Sequence, residues 1–294
     1  MHVPALPREA LEFLNIRPGG TYIDATVGGG GHAELILAEL IANEGGRLLG
    51  IDRDPEALAR AAQRLAPFKE KLILMHGNFA RIEELHGASG LPPADGMLAD
   101  LGFSSWQLED PARGFSFDRP GPLDMRMDPG EPLTAAEIVN QTPEQDLADL
   151  IFQLGEERHS RRIARAIVKA RPIQSTAELA KAVRCAIPSR AGLHHLHPAT
   201  RTFMALRLAV NRELENLDEF LTKALAALAP GGRLVILSFH SLEDRRVKQA
   251  FVEWRKEGRA NILTRKVVRP EEEETRANPR ARSAKLRAAE KVVS

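Results

Sequence analysis

The stretch IDATVGGGGHAELIL, residues 23–37, sets four consecutive glycines between an apolar run and a helical pattern. A tight turn needs one or two glycines, so a run of four indicates that something lies close to the backbone. No Gly-Lys-Ser/Thr follows, and a triphosphate-binding loop would lack its lysine. Gly28 through Ala33 does satisfy G-x-G-x-x-G/A, and Asp52 ends the next apolar run at the spacing of a ribose-binding acid. Loop and acid together suit an adenosine-bearing cofactor laid over the first two strands, with Asp52 accepting from the ribose hydroxyls. NAD and S-adenosylmethionine both present an adenosine, and the spacing does not separate them. The backbone N–H of His32, at the positive end of a helix, is placed to meet a carboxylate.

The elements around this loop follow from periodicity. Residues 21–26, 47–52, 71–76 and 95–101 are continuously apolar and of strand length, as in a sheet covered on both faces. Amphipathic stretches separate them, and Asp54-Pro55 supplies an N-cap with proline at the first helical position. The rhythm implies a parallel sheet with right-handed crossovers, an α/β doubly wound fold of Rossmann-like type. It stops after Leu101. A Gly-, Pro- and Phe-rich stretch follows, then helical patterns from Thr134 to about Ile187. Strand character returns at 232–239 and again at 260–268. The expected organisation is a discontinuous cofactor-binding domain, residues 1–106 with 197–294, interrupted by a helical insertion at 107–196. The chain past Arg269 reads as a low-complexity, charged tail.

Formal net charge is only +1, so a nucleic-acid surface must come from local clustering. Arg158, Arg161, Arg162, Arg165 and Lys169 recur at steps of three and four and share one helical face. Arg280, Arg282, Lys285 and Arg287 concentrate positive charge in the tail, after an acidic run at Glu271–Glu274. Both segments are candidates for phosphate contact. Cys185 is the single cysteine, which excludes an internal disulfide and a cysteine zinc site. His194, His195 and His197 lie close together without an acidic ligand nearby, and no metal site is expected. Neither a signal peptide nor a membrane span is read, so a cytoplasmic protein is expected.

The segments DATVGGGGH, GIDRDPEAL, MLADLGFSSWQL, RGFSF, LDMRMD, HPATRTFMALRLAVNRELENL, GGRLVILSFHSLEDRRVK and NPRARSAKLRAAEK run in order through the chain. Together they resemble the RsmH (MraW) family of S-adenosylmethionine-dependent methyltransferases, which modify the N4 amine of a cytidine in the decoding region of small-subunit (16S) ribosomal RNA. The resemblance implies a Rossmann-like methyltransferase domain with a helical, RNA-recognising insertion. It places the cofactor contacts on Gly30, Gly31, His32, Asp52, Phe79, Asp100 and Gln107. On this reading Phe79 covers the adenine face, and Asp100 attracts the sulfonium or the methionine ammonium. The partner implied is small-subunit rRNA, within an assembled or assembling subunit, with a homodimeric state left open.

Methyl transfer to an exocyclic amine is one in-line displacement in which the enzyme positions the nitrogen and accepts its N–H bonds. Amino-methyltransferases of DNA commonly carry Asn/Asp/Ser-Pro-Pro-aromatic after the fourth strand. Here the position reads Asp100-Leu101-Gly102-Phe103-Ser104-Ser105. The acceptor role passes to Asp100, to Ser104 or Ser105, or to the loop backbone, with Phe103 available to stack on the base and His240 as a further candidate. Three other readings compete: an NAD-dependent oxidoreductase, a methyltransferase of protein or small molecules, and an RNA-binding module without catalysis.

Overall fold

The computed structural model describes residues 4–42, 45–187 and 197–293. The chain divides into two compact units, residues 1–102 with 214–294 and residues 103–213.

The first unit is built on one sheet: β1 (Thr21–Asp24), β2 (Arg47–Asp52), β3 (Leu72–His76), β4 (Ala94–Asp100), β5 (Leu228–Ser238), β6 (Ala260–Ile262) and β7 (Lys285–Lys291). Their order is β3-β2-β1-β4-β5-β7-β6. β1 to β5 pair in parallel, whereas β7 runs antiparallel between β5 and β6. Both faces are covered, which is why the strands are apolar without alternation. Ile23, Leu49, Met97, Ala99, Leu234 and Ile236 pack with helices Glu213–Ala227 and Ser241–Lys256. Tyr22, Leu48, Leu98, Val235 and Leu237 join helices Pro7–Leu14, Gly31–Ala42 and Pro55–Arg64 on the other side.

The first five strands follow the 3-2-1-4-5 part of the doubly wound dinucleotide-binding order, and β7 is the reversed strand set between β5 and the edge strand β6. β7 also corrects the expectation of a low-complexity tail. Leu286, Ala288 and Ala289 are buried, so the alternation at 285–291 is that of a sheet strand rather than of a charged coil. The strand expected over 260–268 is short, ending at Ile262 on the sheet edge.

The second unit is helical, with Ala135–Gln141, Glu144–Gly155, Ser160–Ala170, Thr176–Ala186 and Thr200–Val210 around one core. Its boundaries depart from those expected at 106/107 and 196/197, lying instead at 102/103 and 213/214. Helix Thr200–Val210 belongs here because Phe203, Leu206 and Val210 pack with Leu147, Ile151 and Ile163. At Gly155 this packing leaves no room for a side chain, since a Cβ would fall 2.7 Å from the Arg201 carbonyl oxygen.

The irregular segment before these helices is held by polar anchors. Arg113, buried, donates to the carbonyls of Arg126 and Met127 at 3.0 and 2.8 Å. Asn211 accepts from Met127 N at 2.7 Å and donates to the carbonyls of Met125 and Arg207 at 2.8 and 2.9 Å. Met125 sits at φ 61, a left-handed conformation that costs free energy unless its neighbours impose it. Asn211→Ala strands the buried Met125 carbonyl and the Met127 N–H that follows it. We expect it to destabilise this unit by about 2–4 kcal/mol, read from urea unfolding; a loss under about 0.5 kcal/mol would show the anchor to be redundant.

Candidate active site

The glycine run proves to have divided duties. Gly28 and Gly30 adopt left-handed backbone, at φ 51 and 82, which favours glycine. Gly31 packs on Pro4, where a Cβ would meet the ring at 3.4–3.5 Å. Gly29 has neither reason: its φ is ordinary and no protein atom lies within 4 Å of where its Cβ would be. A cradle that bare suits a ligand approaching the backbone.

Asp52, at the end of β2, receives Gly28 N at 2.7 Å on Oδ2 and Asp54 N at 2.9 Å on Oδ1. Asp54 is then left to cap helix Pro55–Arg64 through Glu56 N, as the Asp-Pro pair implies. Each Asp52 oxygen keeps a further lone pair for a hydroxyl donor. One strand over, Asp24 is 1 % exposed and accepts from Thr26 N at 3.2 Å. Thr26 Oγ1 in turn accepts from Asp100 N at 2.6 Å, which ties the ends of β1 and β4 together. Sequence reasoning missed Asp24, although it precedes the glycine loop at the end of a wholly buried strand.

The carboxyls at these strand ends are destabilised as anions. Burial, slightly offset by the Thr26 hydrogen bond and reinforced by Asp52, raises Asp24 to about 7. Burial raises Asp52 to about 6, against its two backbone donors. Burial, then Asp24, then Glu243 raise Asp100 to about 8. Asp100 Oδ1 is buried and has no hydrogen-bond partner among the described residues. Such a cluster accepts a cation and rejects an anion. It fits a sulfonium with an α-ammonium and opposes the pyrophosphate of NAD.

The remaining candidates fall in several places. Phe79 follows β3, half-buried, with its ring held edge-on by Phe220 at 5.1 Å. His32 is buried at the start of helix Gly31–Ala42, with Nδ1 3.5 Å from Asp100 Oδ2. His240 caps helix Ser241–Lys256: Nδ1 accepts from Glu243 N at 3.4 Å and Nε2 lies 3.1 Å from Glu243 Oε1. Both ring nitrogens thus face Glu243, an arrangement that fixes the helix start. Ser104 and Gln107 belong to the second unit, where they form a reciprocal capping box on helix Ser105–Glu109. Ser104 Oγ accepts there from Gln107 N, and Gln107 is buried.

Arg158, Arg161, Arg162, Arg165 and Lys169 are all exposed, and of these Arg165 lies 3.5 Å from Glu144. The C-terminal cations differ among themselves. Arg280 and Arg282 are exposed on a short turn at Pro279–Ser283, whereas Lys285 and Arg287 lie on β7. Arg287 is paired with Asp244 at 2.7 and 3.3 Å, which assigns it to holding β7 against helix Ser241–Lys256. His194 and His195 lie outside the described residues. His197 stacks on Phe117 at 4.4 Å. No group of metal-ligating side chains occurs among the described residues.

The raised carboxyls set a pH dependence. Folded, they keep protons that the unfolded chain has already released, so native protein binds more protons and stability falls as pH rises from about 4 to about 8. We expect the melting temperature of the cofactor-free protein to decline through this window and Asp100→Asn to flatten the upper part of the decline. Thermal unfolding of both proteins across pH checks this, and parallel curves would contradict it.

A model of the MraW methylase family matches residues 1–292. The ribosomal RNA small subunit methyltransferase H of Syntrophobacter fumaroxidans is 53% identical over 308 residues, covering 99% of this chain and 96% of the relative. That of Acidobacterium capsulatum is 52% identical over 297 residues, covering 99% and 98%. That of Cyanothece sp. is 51% identical over 292 residues, covering 99% and 95%. Glycine cradle, acidic strand ends, reversed seventh strand and full-length likeness agree: the chain belongs to the MraW methylase family, and its cofactor is S-adenosylmethionine.

Proposed function

We propose that the protein methylates the N4 amine of a cytidine in the decoding region of small-subunit ribosomal RNA, acting on an assembled or assembling subunit. The observation that carries the site assignment is Asp100: a half-buried carboxyl whose buried Oδ1 has no hydrogen-bond partner among the described residues, at the C-terminal end of β4, where open α/β sheets hold ligands. The relatives' printed names support the RNA class.

When bound, S-adenosylmethionine supplies an electrophilic methyl on a sulfonium. The chain's own residues do the rest. Gly29 and Gly30 let the backbone approach the methionine end, with the His32 and Gly31 N–H groups at the start of a helix. Asp52 accepts from the ribose, already oriented by its two backbone donors. Phe79, steadied by Phe220, offers a ring for the adenine. Asp100 accepts an N–H of the target amine, where positive charge builds as the nitrogen lone pair is drawn out of conjugation. The amine is engaged in a base pair within a duplex, so the cytidine must be unpaired or turned out.

The exposed cations of helix Ser160–Ala170 are proposed to meet phosphates, together with Arg280 and Arg282. Among the described residues no helix is long and apolar enough to cross a membrane, and cytoplasmic action on ribosomal particles is part of this reading.

Transfer of labelled methyl from S-adenosylmethionine to small subunits lacking the modification, followed by nucleoside digestion, tests it. Label on N4 of one cytidine is expected; label on duplex DNA or on protein alone would overturn the substrate. Replacing Arg161, Arg165 and Lys169 together by alanine is expected to lower the slope of log affinity against log salt by about 2–3. Unchanged salt dependence in a binding titration would remove that helix from the RNA contact.

A further inference from the structure

His32 is 4 % exposed, and its Nε2 lies 2.9 Å from the carbonyl oxygen of Ala5. A carbonyl oxygen only accepts, so Nε2 carries the ring proton. Nδ1 therefore meets Asp100 Oδ2, 3.5 Å away, as a lone pair when the ring is neutral and as a second donor when it is charged. The carbonyl that fixes this tautomer belongs to the Ala5–Leu6 peptide, whose N–H is donated to Glu274 Oε1 at 2.7 Å. Leu6 is fully buried at φ 49, so this peptide is locked in one orientation. A carboxylate on its N–H side polarises the peptide and makes the Ala5 oxygen a stronger acceptor. Glu274, the 5–6 peptide, His32 and Asp100 thus form one continuous chain, with its two ends contributed by helix Glu272–Ala277 and β4.

We propose that Asp100 takes the proton shed by the target amine while its own proton passes to His32 Nδ1, and that Glu274 is a positioning residue that sets the His32 tautomer through the Ala5–Leu6 peptide. This rests on the reading of Asp100 as the group facing the amine. Before transfer the Asp100–His32 pair shares one proton and is neutral. The amine lone pair forms the N–C bond, the C–S electron pair returns to sulfur, and the N–H proton passes to Asp100. The pair then holds two protons and carries the positive charge that the sulfonium has lost, so the net charge of the site does not change during the step. The extra proton leaves to water with the product.

The surroundings favour that arrangement. Asp24 from β1 and Glu243 from helix Ser241–Lys256 bear on Asp100, Asp52 bears on Asp24, and His32 faces Asp100 from helix Gly31–Ala42. Burial and these acids keep a proton on Asp100 up to about 8, so the pair holds one proton near neutral pH. The two groups titrate together, and any apparent value belongs to the pair.

Nitrogen-15 spectra of histidine-labelled full-length protein read the tautomer without substrate, with the His32 signal assigned by its loss in His32→Asn. The expected result is a neutral ring protonated at Nε2 in the wild type, with an Nδ1–H fraction appearing in Glu274→Ala and suppressed in Glu274→Gln, which keeps an acceptor. In single-turnover transfer at saturating cofactor, His32→Asn is expected to lose about ten- to a hundredfold in rate and to change its pH profile, with cofactor affinity altered less than about threefold. Glu274→Ala, at a half-exposed position, is expected to lose about three- to tenfold, and Glu274→Gln, which keeps the acceptor for Leu6 N, to recover most of it. A neutral His32 protonated at Nδ1, or a wild-type pH profile in His32→Asn or Glu274→Ala, overturns the relay. If the tautomer is as expected but no RNA or other amine is methylated, the substrate reading has failed instead.

Discussion

Asp52 takes the Gly28 N–H on one oxygen and the Asp54 N–H on the other, and the cofactor end of the sheet depends on that fork. It ties the loop after β1, with its left-handed Gly28, to the turn after β2. Asp54, freed from the loop, caps the next helix. The Thr26 hydroxyl does for β1 and β4 what Asp52 does for β1 and β2. Each link places a carboxyl where water is scarce, and the weakened acidities of Asp24, Asp52 and Asp100 follow from that placement. A stable fold tolerates such groups where protonation is available near neutral pH or where a cation is to be received.

Most of this architecture was legible in the chain. Continuous apolar runs announced strands buried on both faces, and Asp54-Pro55 announced the helix it caps. The glycine run with Asp52 announced an adenosine site but left NAD and S-adenosylmethionine equal, because both differ only beyond the ribose. The ordered motifs of the family resemblance separated them, while other features of the site are non-local. The reversed β7 depends on pairing with β5, far away in sequence, and its Lys-Leu-Arg-Ala-Ala-Glu-Lys run is masked by charges on the half-exposed positions. The cluster of Asp24, Asp52 and Asp100 likewise exists only when three strand ends are brought side by side.

Several candidate side chains changed meaning once their partners were visible. His240, Ser104 and Gln107 are polar residues beside a strand end, which is also where helices begin, and each is engaged in a helix cap. Sequence shows residue type and spacing at such a position, yet not which way the side chain turns. Arg287 is similar: in a list of basic residues it looked like a phosphate ligand, while its fork is matched to Asp244. Arg161, Arg162 and Lys169 of helix Ser160–Ala170, which make no ion pair among the described residues, are stronger candidates for that reason than Arg165, paired with Glu144, since an ion-paired guanidinium must break a contact before it meets a phosphate.

The near balance of 41 basic and 40 acidic residues conceals a division by role. Buried and half-buried acids collect at the strand ends of the first unit, and exposed cations line one helix of the second. A sulfonium-bearing cofactor is attracted to the acids, and its demethylated product, lacking that charge, is attracted less. Methyl transfer therefore weakens the hold on the spent cofactor without any movement of the fold. The phosphate contacts proposed for the helix feel no such change, because RNA keeps its charge when it gains a methyl. Asymmetry of this kind favours release of the cofactor product by electrostatics and leaves release of the RNA to be governed by salt and by the fit of the modified base.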